Sequence, residues 1–384
     1  MQFTHEHEQI RSTIKRWIAE KVNPHVDEWE KAEIFPAHEI FKQMGELGLL
    51  GLDKPTENGG MGLDYSYAAL LAETLSDMDC GAIPMAIGVQ TDMCTPALAR
   101  HGSAELRAEF LAPAISGDAV GCLGVSEVGS GSDVASIRTT ARKDGDDYVI
   151  DGGKMWTTNG AQADWCCVLA NTSEGPVHRN KSLIIVPMKT SVVSVARMLC
   201  LICMLASDSA QLFFDGVRVP QRYRIGAENQ GFIYQMEQFQ IERLWGALNS
   251  TGFAQRAIDI TIDYTRERKA FGRSILDNQW VNFKLAEMQA EVDCVRALCW
   301  QAVEEVVAGR DATRLATSAK LKAGRLTREV SSGCLQFWGG MGYMNDSLIS
   351  RLFRDMRLSS IGGGADEVML QILTKYMGTF PDRH

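Results

Sequence analysis

The sequence lacks a long apolar run and a strongly basic region. Its longest apolar stretch, MLCLICMLA at 198–206, is far shorter than the roughly 18 residues that a membrane-spanning helix needs. The formal net charge is -9, so there is no global positive field to bind nucleic acid or anionic lipid. We therefore expect neither a membrane span nor a nucleic-acid partner.

The cysteines lack the spacing of a metal site. Ten are present, but Cys200 and Cys203 form an isolated C-x-x-C, and Cys166 and Cys167 stand side by side without zinc-ligand spacing. The N-terminal residues also lack the apolar core of a secretory leader. These features favour a reducing compartment, and we expect a cytoplasmic protein without bound metal. Whether the C-x-x-C pair has any role stays open.

The 384 residues divide into three regions with different patterns of apolar residues. Residues 1–120 show helical spacing of apolar side chains, and residues 121–226 contain short β-prone runs between turn signals. Helical periodicity returns in residues 227–384, so we expect a mainly α chain with an inserted β domain. A continuous apolar stripe in the last region predicts long helices that pack as a bundle, and it consists of Leu285, Met288, Val292, Val295, Cys299, Ala302 and Val306.

The β region opens with a glycine- and serine-rich stretch, CLGVSEVGSGSDVASIRTTA at 122–141. Gly129 and Gly131 would let backbone amides approach a ligand, and the serines supply hydroxyl groups. As a dinucleotide-binding fingerprint the stretch is incomplete, because the third glycine is missing and no parallel βαβ unit surrounds it. By itself it also suits a polar turn between strands.

A second stretch, DGGKMWTTNGAQADW at 151–165, places Trp156 beside Thr157 and Thr158. An indole next to hydroxyl groups can face a planar aromatic ring. A tryptophan in a β domain also commonly belongs to the core, so this stretch alone leaves both interpretations open.

Together, the two stretches resemble the flavin-binding signatures of the acyl-CoA dehydrogenase family, C-x-x-x-[ST]-E-P-x-[AGS]-G-S-D and K-x-W-[IT]-[TS]-N. The resemblance runs end to end, through YTRERKAFGRSILDNQWVNFKLAEM at 264–288, LQFWGGMGYMND at 335–346 and RLFRDMRLSSIGGGADEV at 351–368. It implies a helical N-terminal domain, a middle antiparallel β domain and a C-terminal four-helix bundle. It also implies bound FAD, an acyl-CoA substrate, an electron-transfer flavoprotein as partner, and a homotetramer built as a dimer of dimers.

The resemblance also implies a role for individual residues. Trp156, Thr157 and Thr158 would flank the flavin ring, and Arg268 would bind the FAD diphosphate, which suits the bidentate geometry of a guanidinium group. The implied FAD-binding residues are Leu123, Val125, Ser126, Gly131, Ser132, Trp156, Thr157, Thr158, Arg268, Phe271, Gln279, Gln336, Gly339, Gly340 and Glu367. The implied substrate-binding residues are Ser132, Gln240, Arg243, Gly363 and Gly364.

Two positions depart from the family pattern. Val128 follows the signature glutamate where many members have proline. Cys203, Met204 and Leu205 stand where many members have a Gly-Met-Arg turn, which removes a positive charge. We expect the second change to alter the surface of the β domain.

The usual catalytic base is absent from its usual place. The chemistry of the family needs a carboxylate to remove the α-proton of the thioester, and most members carry it at the loop position of Gly363. Glu367, four residues further on, is one alternative, although its place at a helix start fits a position near FAD. Isovaleryl- and long-chain members also lack the loop glutamate, and they take the base from a helix, directly before an arginine. Glu242 precedes Arg243 in this way and is the predicted base, although such a glutamate is otherwise a solvated surface charge.

The surroundings of Glu242 lead to further expectations. Phe239 and Gly246 share its helix face, and the glycine is expected to leave space beside the carboxylate. An apolar, substrate-closed pocket should raise the pKa of Glu242 toward neutrality. By family analogy, the thioester carbonyl would be held by the backbone N–H of Glu367 or a near neighbour together with a flavin ribityl hydroxyl.

The predicted reaction is the dehydrogenation of an acyl-CoA to a trans-2-enoyl-CoA. The glycine run at 362–364 removes bulk beside the reacting carbons and favours branched or terpenoid acyl groups. A dehydrogenase of straight medium or long chains is the alternative substrate assignment. There are two alternative functions. One is a flavin oxidase or monooxygenase on the same fold, and the other is a catalytically inactive protein that binds acyl-CoA or FAD but has lost its base.

Overall fold

The N-terminal region is helical. The computed structural model describes residues 1–190, 192–198 and 201–381. The side chain of Thr4 accepts a hydrogen bond from the backbone N–H of His7, and His7 Nδ1 accepts one from the backbone N–H of Thr4, which caps the first helix. The helices are α1 (His5–Trp17), α2 (Val26–Ala32), α3 (Ala37–Glu46), α4 (Tyr65–Thr74), α5 (Ala82–Gly88), α6 (Pro96–His101), α7 (Ala104–Leu106) and α8 (Ala112–Ser116), with π-helical turns at Ile18–Val22, Val89–Cys94 and Arg107–Leu111.

The middle region forms one sheet, whose strands are β1 (Gly121–Gly124), β2 (Thr140–Asp144), β3 (Asp147–Thr157), β4 (Trp165–Asn171), β5 (Lys181–Pro187), β6 (Val193–Met198), β7 (Ala210–Pro220) and β8 (Arg224–Ile225). The strand order is β6-β7-β3-β2-β4-β5-β8, and β1 pairs with β4 off this path. Most pairs are antiparallel, as the sequence predicts, but β1 runs parallel to β4, and so does β2 at a single residue pair. The inserted β domain is therefore confirmed, with a parallel component that the sequence did not predict.

The C-terminal region is a helical bundle. Its elements are α9 (Gly231–Glu267), β9 (Lys269–Ala270), β10 (Arg273–Ser274), α10 (Gln279–Val307), α11 (Thr313–Trp338), α12 (Leu348–Asp355) and α13 (Asp366–Tyr376). Helix α11 packs along α9, α10 and α13. Six residues of the predicted apolar stripe on α10 are buried and Val306 is partly buried, because the stripe faces the centre of the bundle.

Asp355, the last residue of α12, joins the three regions. Its carboxylate accepts hydrogen bonds from the backbone N–H groups of Gly81, at 2.8 Å, and Met204, at 2.7 Å. Cys203 and Met204 are buried against the core of the N-terminal region. Two of the three residues that depart from the family pattern therefore lie in a junction between domains, while Leu205, at the position of the lost charge, is partly exposed.

The cysteines described in the structure are reduced. All nine of them are free thiols, and only Cys294 is exposed. Cys200 lies outside the described residues, so the predicted C-x-x-C pair is not tested. Among the described ranges, no helix has the length and hydropathy needed to cross a membrane, and no group of three His, Cys, Asp or Glu side chains is placed to hold a metal ion.

Candidate active site

The glycine loop between α12 and α13 has a backbone that requires glycine. Gly363 has φ +63° and Gly364 has φ +96°, in the left-handed region that other residues rarely adopt. Helix α13 follows directly, and its N-cap residue Ala365 contributes no side-chain cap. The first amides of α13 therefore lack intrahelical partners, as at any helix N-terminus.

Helix α9 brings Glu242 to this loop. A Cβ atom on Gly363 would lie 3.3 Å from Glu242 Oε1. The loop position that usually carries the base and the helix position predicted to carry it here thus lie side by side, although more than a hundred residues separate them in the sequence. Glu367, the alternative base, is exposed on the first turn of α13.

The Glu242 carboxylate is desolvated and short of hydrogen-bond donors. Its Oε2 atom is buried and has no hydrogen-bond partner. Burial raises the pKa of Glu242 to about 7, while the positive charges of Arg243 and Lys320 act in the opposite direction. A carboxylate with such a pKa can both take and release a proton near neutral pH.

Arg243, the next residue on α9, also approaches the loop. It is buried, its Nε atom has no hydrogen-bond partner, and its guanidinium group stands 6.0 Å from the ring centre of Phe239. A Cβ atom on Gly364 would lie 3.9 Å from that Nε. The structure thus brings together two of the predicted substrate-binding residues, Arg243 and Gly364, and leaves Gln240 partly buried earlier on α9.

Lys320 is a residue of this site that the sequence analysis missed. The space that Gly246 was expected to leave beside Glu242 is occupied, because Lys320 Cε lies 3.4 Å from where a Gly246 Cβ would stand. Burial lowers the pKa of Lys320 to about 8. One sequence feature could have identified Lys320: it interrupts a stripe of small residues on α11. These residues are Ala316, Ala319 and Ala323, and all three are buried.

Asp366, the first residue of α13, belongs to the same neighbourhood. It is buried, and Arg328 Nη2 donates a hydrogen bond of 2.8 Å to its Oδ2 atom. Its Oδ1 atom is buried without a partner. Among the charges that act on the Lys320 ammonium group, that of Asp366 has the largest effect.

The two glycine- and tryptophan-bearing stretches are joined by a buried ion pair. The Met155 N–H donates to Ser126 O at 2.9 Å, and Lys154 Nζ donates to Glu127 Oε1 at the same distance. Glu127 also accepts a hydrogen bond of 3.0 Å from the backbone N–H of Thr139, which closes the loop between β1 and β2. The Glu127–Lys154 pair therefore holds both stretches in one place, a role that the motifs alone did not reveal.

The surface formed by these stretches fits a planar aromatic ligand. Trp156 is 55% exposed and has φ +56°, so the alternative that it belongs to the core is wrong. Thr157 Oγ1 is buried without a partner, whereas Thr158 Oγ1 lies 3.1 Å from Ser209 Oγ. A strained, exposed indole beside an unpaired hydroxyl is typical of a ligand site.

The rest of the first stretch leaves room for a ligand. A Cβ atom on Gly129 or Gly131 would meet no atom within 4 Å. Ser132 is exposed beside Gly131, while Leu123 is partly buried on β1 and Val125 is buried.

Apart from Glu367 on α13, the remaining predicted cofactor residues lie elsewhere, at one end of the bundle. They stand where α9 ends, where α10 begins and where α11 ends, and all are exposed: Arg268, Phe271, Gln279, Gln336, Gly339 and Gly340. Phe271 is fully exposed at φ +54°, and Trp280 and Tyr343 beside this set are 72% and 91% exposed. A single chain therefore leaves the apolar side chains of Phe271, Trp280 and Tyr343 uncovered beside exposed polar residues.

Models of three domains match the chain. They are described as the N-terminal, middle and C-terminal domains of acyl-CoA dehydrogenase, and they match residues 4–118, 122–217 and 229–378.

Curated relatives match along almost the whole chain. The long-chain specific acyl-CoA dehydrogenase of Sus scrofa is 33% identical, over 97% of this chain and 86% of its own length. The isovaleryl-CoA dehydrogenase of Oryza sativa subsp. japonica is 32% identical, over 97% of this chain and 91% of its own length. The short-chain specific acyl-CoA dehydrogenase of Rattus norvegicus is 30% identical, over 97% and 90%.

Solved structures share the fold. A crystal structure of acyl-CoA dehydrogenase from Geobacillus kaustophilus superposes with a TM-score of 0.94 and 32% identity, covering 98% of both chains. A chain in a structure described as the electron transferring flavoprotein of Acidaminococcus fermentans superposes with a TM-score of 0.95 and 29% identity, covering 98% of this chain and 99% of that one.

Proposed function

The chain belongs to the acyl-CoA dehydrogenase family, and from this premise we propose that it converts an acyl-CoA thioester into a trans-2-enoyl-CoA with Glu242 as the base and FAD as the cofactor. The observation that carries the proposal is the contact between the Glu242 carboxylate and Gly363, where a Cβ would come within 3.3 Å of Oε1. A carboxylate on α9 thereby reaches the loop position from which the base acts in most members of the family.

Glu242 takes the α-proton of the thioester. Its raised pKa, about 7, brings it close to the pH at which proton transfer by a general base is most effective. Its Oε2 atom has no hydrogen-bond partner, so this oxygen is free to accept the proton.

The thioester carbonyl lies at the N-terminus of α13. The amides of Asp366 and Glu367 have no intrahelical acceptors, and the positive end of the helix dipole stabilises the negative charge that develops on the carbonyl oxygen. Gly363 and Gly364 let the loop backbone approach the substrate closely, because they carry no side chain in front of these amides.

The residues on the β domain suit FAD. Trp156 and Thr158 would flank the flavin ring, the unpaired Thr157 hydroxyl would gain a partner, and Ser132 would serve the ribityl group. Arg268, at the end of the bundle, would serve the diphosphate. When bound, FAD accepts the β-hydrogen of the substrate as hydride. The Glu127–Lys154 pair fixes the strands that carry these groups.

We propose a branched or terpenoid acyl group as the substrate. The support is the absence of side chains at residues 362–364 beside the base, together with an isovaleryl-CoA dehydrogenase among the relatives. Long-chain and short-chain enzymes are equally close in sequence, so straight chains are the alternative that the substrate panel below decides.

The exposed end of the bundle favours assembly. We propose a homotetramer in which a second copy covers Phe271, Trp280 and Tyr343, because apolar side chains this exposed usually mark an interface. We also propose that an electron-transfer flavoprotein accepts the electrons, as in the family. The free thiols of the described residues suit the proposed cytoplasmic location.

The test is anaerobic bleaching of the flavin absorbance by butyryl-, octanoyl-, isovaleryl- and citronellyl-CoA. The purified protein should bleach with at least one of them, and Glu242→Gln should keep FAD but bleach about 10³-fold more slowly. The exposed Glu291→Gln on α10 is the matched control and should bleach at the normal rate.

Two results would contradict the proposal. If no acyl-CoA bleaches the unmodified protein, the function is wrong. If Glu242→Gln bleaches normally while Glu367→Gln does not, the base is Glu367.

A further inference from the structure

Lys320 is buried in the middle of α11 and faces the catalytic loop. Only 3% of its surface is exposed. Its Cε atom lies 3.4 Å from the position of a Cβ on Gly246 and 3.5 Å from that of a Cβ on Gly363. Glycines on α9 and on the loop therefore make room for this side chain, and it extends between them toward Glu242.

The Lys320 ammonium group ties the glycine loop at both ends. Nζ donates a hydrogen bond of 2.6 Å to Ser359 O, before the glycines, and one of 3.4 Å to Gly364 O, at their end. One helical turn later on α11, Gly324 O accepts a bond of 2.7 Å from Ser360 Oγ. A run of glycines has high conformational freedom, so its position depends on such external bonds.

Charges from three helices meet at this lysine. Glu242 and Arg243 approach it from α9, and Asp366 approaches from α13, where it is paired with Arg328 of α11. The two carboxylates favour the ammonium form and Arg243 opposes it. In return, the positive charge of Lys320 favours the ionised form of Glu242, against the effect of burial.

We propose that Lys320 is a positioning residue for the dehydrogenation: it fixes the glycine loop through two carbonyl groups and places a positive charge beside the base. The inference rests on the proposed function, because it assigns Lys320 a role in the action of Glu242. This role makes a third helix, α11, a necessary part of the site, in addition to α9 and α13.

The test compares uncharged and charged replacements. Lys320→Met keeps the length of the side chain and removes the charge and both hydrogen bonds. Lys320→Gln keeps a donor without the charge, and Lys320→Arg keeps both. The matched control is Lys322→Met, which makes the same change two residues away at an exposed position of α11.

The readout is the rate of anaerobic flavin bleaching between pH 6 and 9, with the acyl-CoA that bleaches the unmodified protein fastest. The acid limb of this profile reports the ionisation of the base. In Lys320→Met and Lys320→Gln it should move to higher pH by about one unit, since a nearby cation is lost. The plateau rate should fall at least tenfold in Lys320→Met and less in Lys320→Gln. Lys320→Arg should restore the position of the limb, and Lys322→Met should change nothing.

Either of two outcomes would overturn the proposal. One is a pH profile in which Lys320→Met or Lys320→Gln keeps the acid limb at its normal pH, whatever its plateau rate. A lysine that only supports the fold would give this result. The other is an Arg variant whose limb moves as far as that of the Met variant. If Lys320→Met does not retain FAD, the pH profiles of Lys320→Gln and Lys320→Arg test the proposal in its place. Failure of the unmodified protein to bleach would instead refute the proposed function.

Discussion

Replacement of Glu242 by glutamine should stabilise the folded protein while it slows the reaction by about 10³-fold. Burial raises the pKa of this carboxyl from 4.5 to about 7, so its ionised form is disfavoured in the fold. Each pKa unit corresponds to about 1.4 kcal/mol, which gives ~3 kcal/mol for the full difference. Glutamine has nearly the same shape and carries no charge, so it avoids this cost.

The effect depends on pH in a defined direction. Below about pH 4.5 the carboxyl is protonated in both the folded and the unfolded chain, and Glu and Gln should be equivalent. As pH rises toward 7, the unfolded chain loses this proton first, and the unmodified protein loses stability relative to the variant. The advantage of the variant should be about 1 kcal/mol at pH 5.5 and about 3 kcal/mol at pH 8.5.

Thermal unfolding at these two pH values measures the effect. The melting temperature of Glu242→Gln should exceed that of the unmodified protein by a few degrees at pH 8.5 and by clearly less at pH 5.5. Glu291→Gln, which replaces an exposed carboxylate on α10, is the control, and its melting temperature should match that of the unmodified protein at both pH values. A gap of equal size at both pH values, or a variant less stable at pH 8.5, would refute the idea that Glu242 is a desolvated base.

Three further substitutions test other parts of the site. Gly363→Ala should lose about 1 kcal/mol of stability and slow flavin bleaching, because its φ of +63° is unfavourable for alanine and the new Cβ would press on Glu242; a normal rate would argue against the contact. Thr157→Val removes a buried hydroxyl without a partner, so the FAD-free protein should keep or slightly gain thermal stability while FAD retention on dialysis falls; unchanged retention would exclude Thr157 from the cofactor site. Lys154→Met leaves the Glu127 carboxylate buried without its cation and should cost about 3–5 kcal/mol, seen in thermal unfolding; a loss below about 1 kcal/mol would show that the pair does not hold the two stretches.

Much of the fold could be predicted from local patterns. The apolar stripe on α10 has the period of a helix, and the short β-prone runs between turn signals became the strands of the sheet. The parallel pairing of β1 with β4 could not be predicted in this way, because strand order depends on contacts between segments distant in the sequence.

The sequence alone determined the family, the expected site motifs and the absence of a carboxylate at position 363. These are properties of residue identity and spacing, which do not depend on packing. Only the tertiary structure decided that Trp156 is exposed, that Glu242 lies against Gly363 and that Lys320 fills the space beside Gly246. The physical reason is that burial and the approach of charges from α9, α11 and α13 arise when distant helices pack, and those contacts set the pKa of the base.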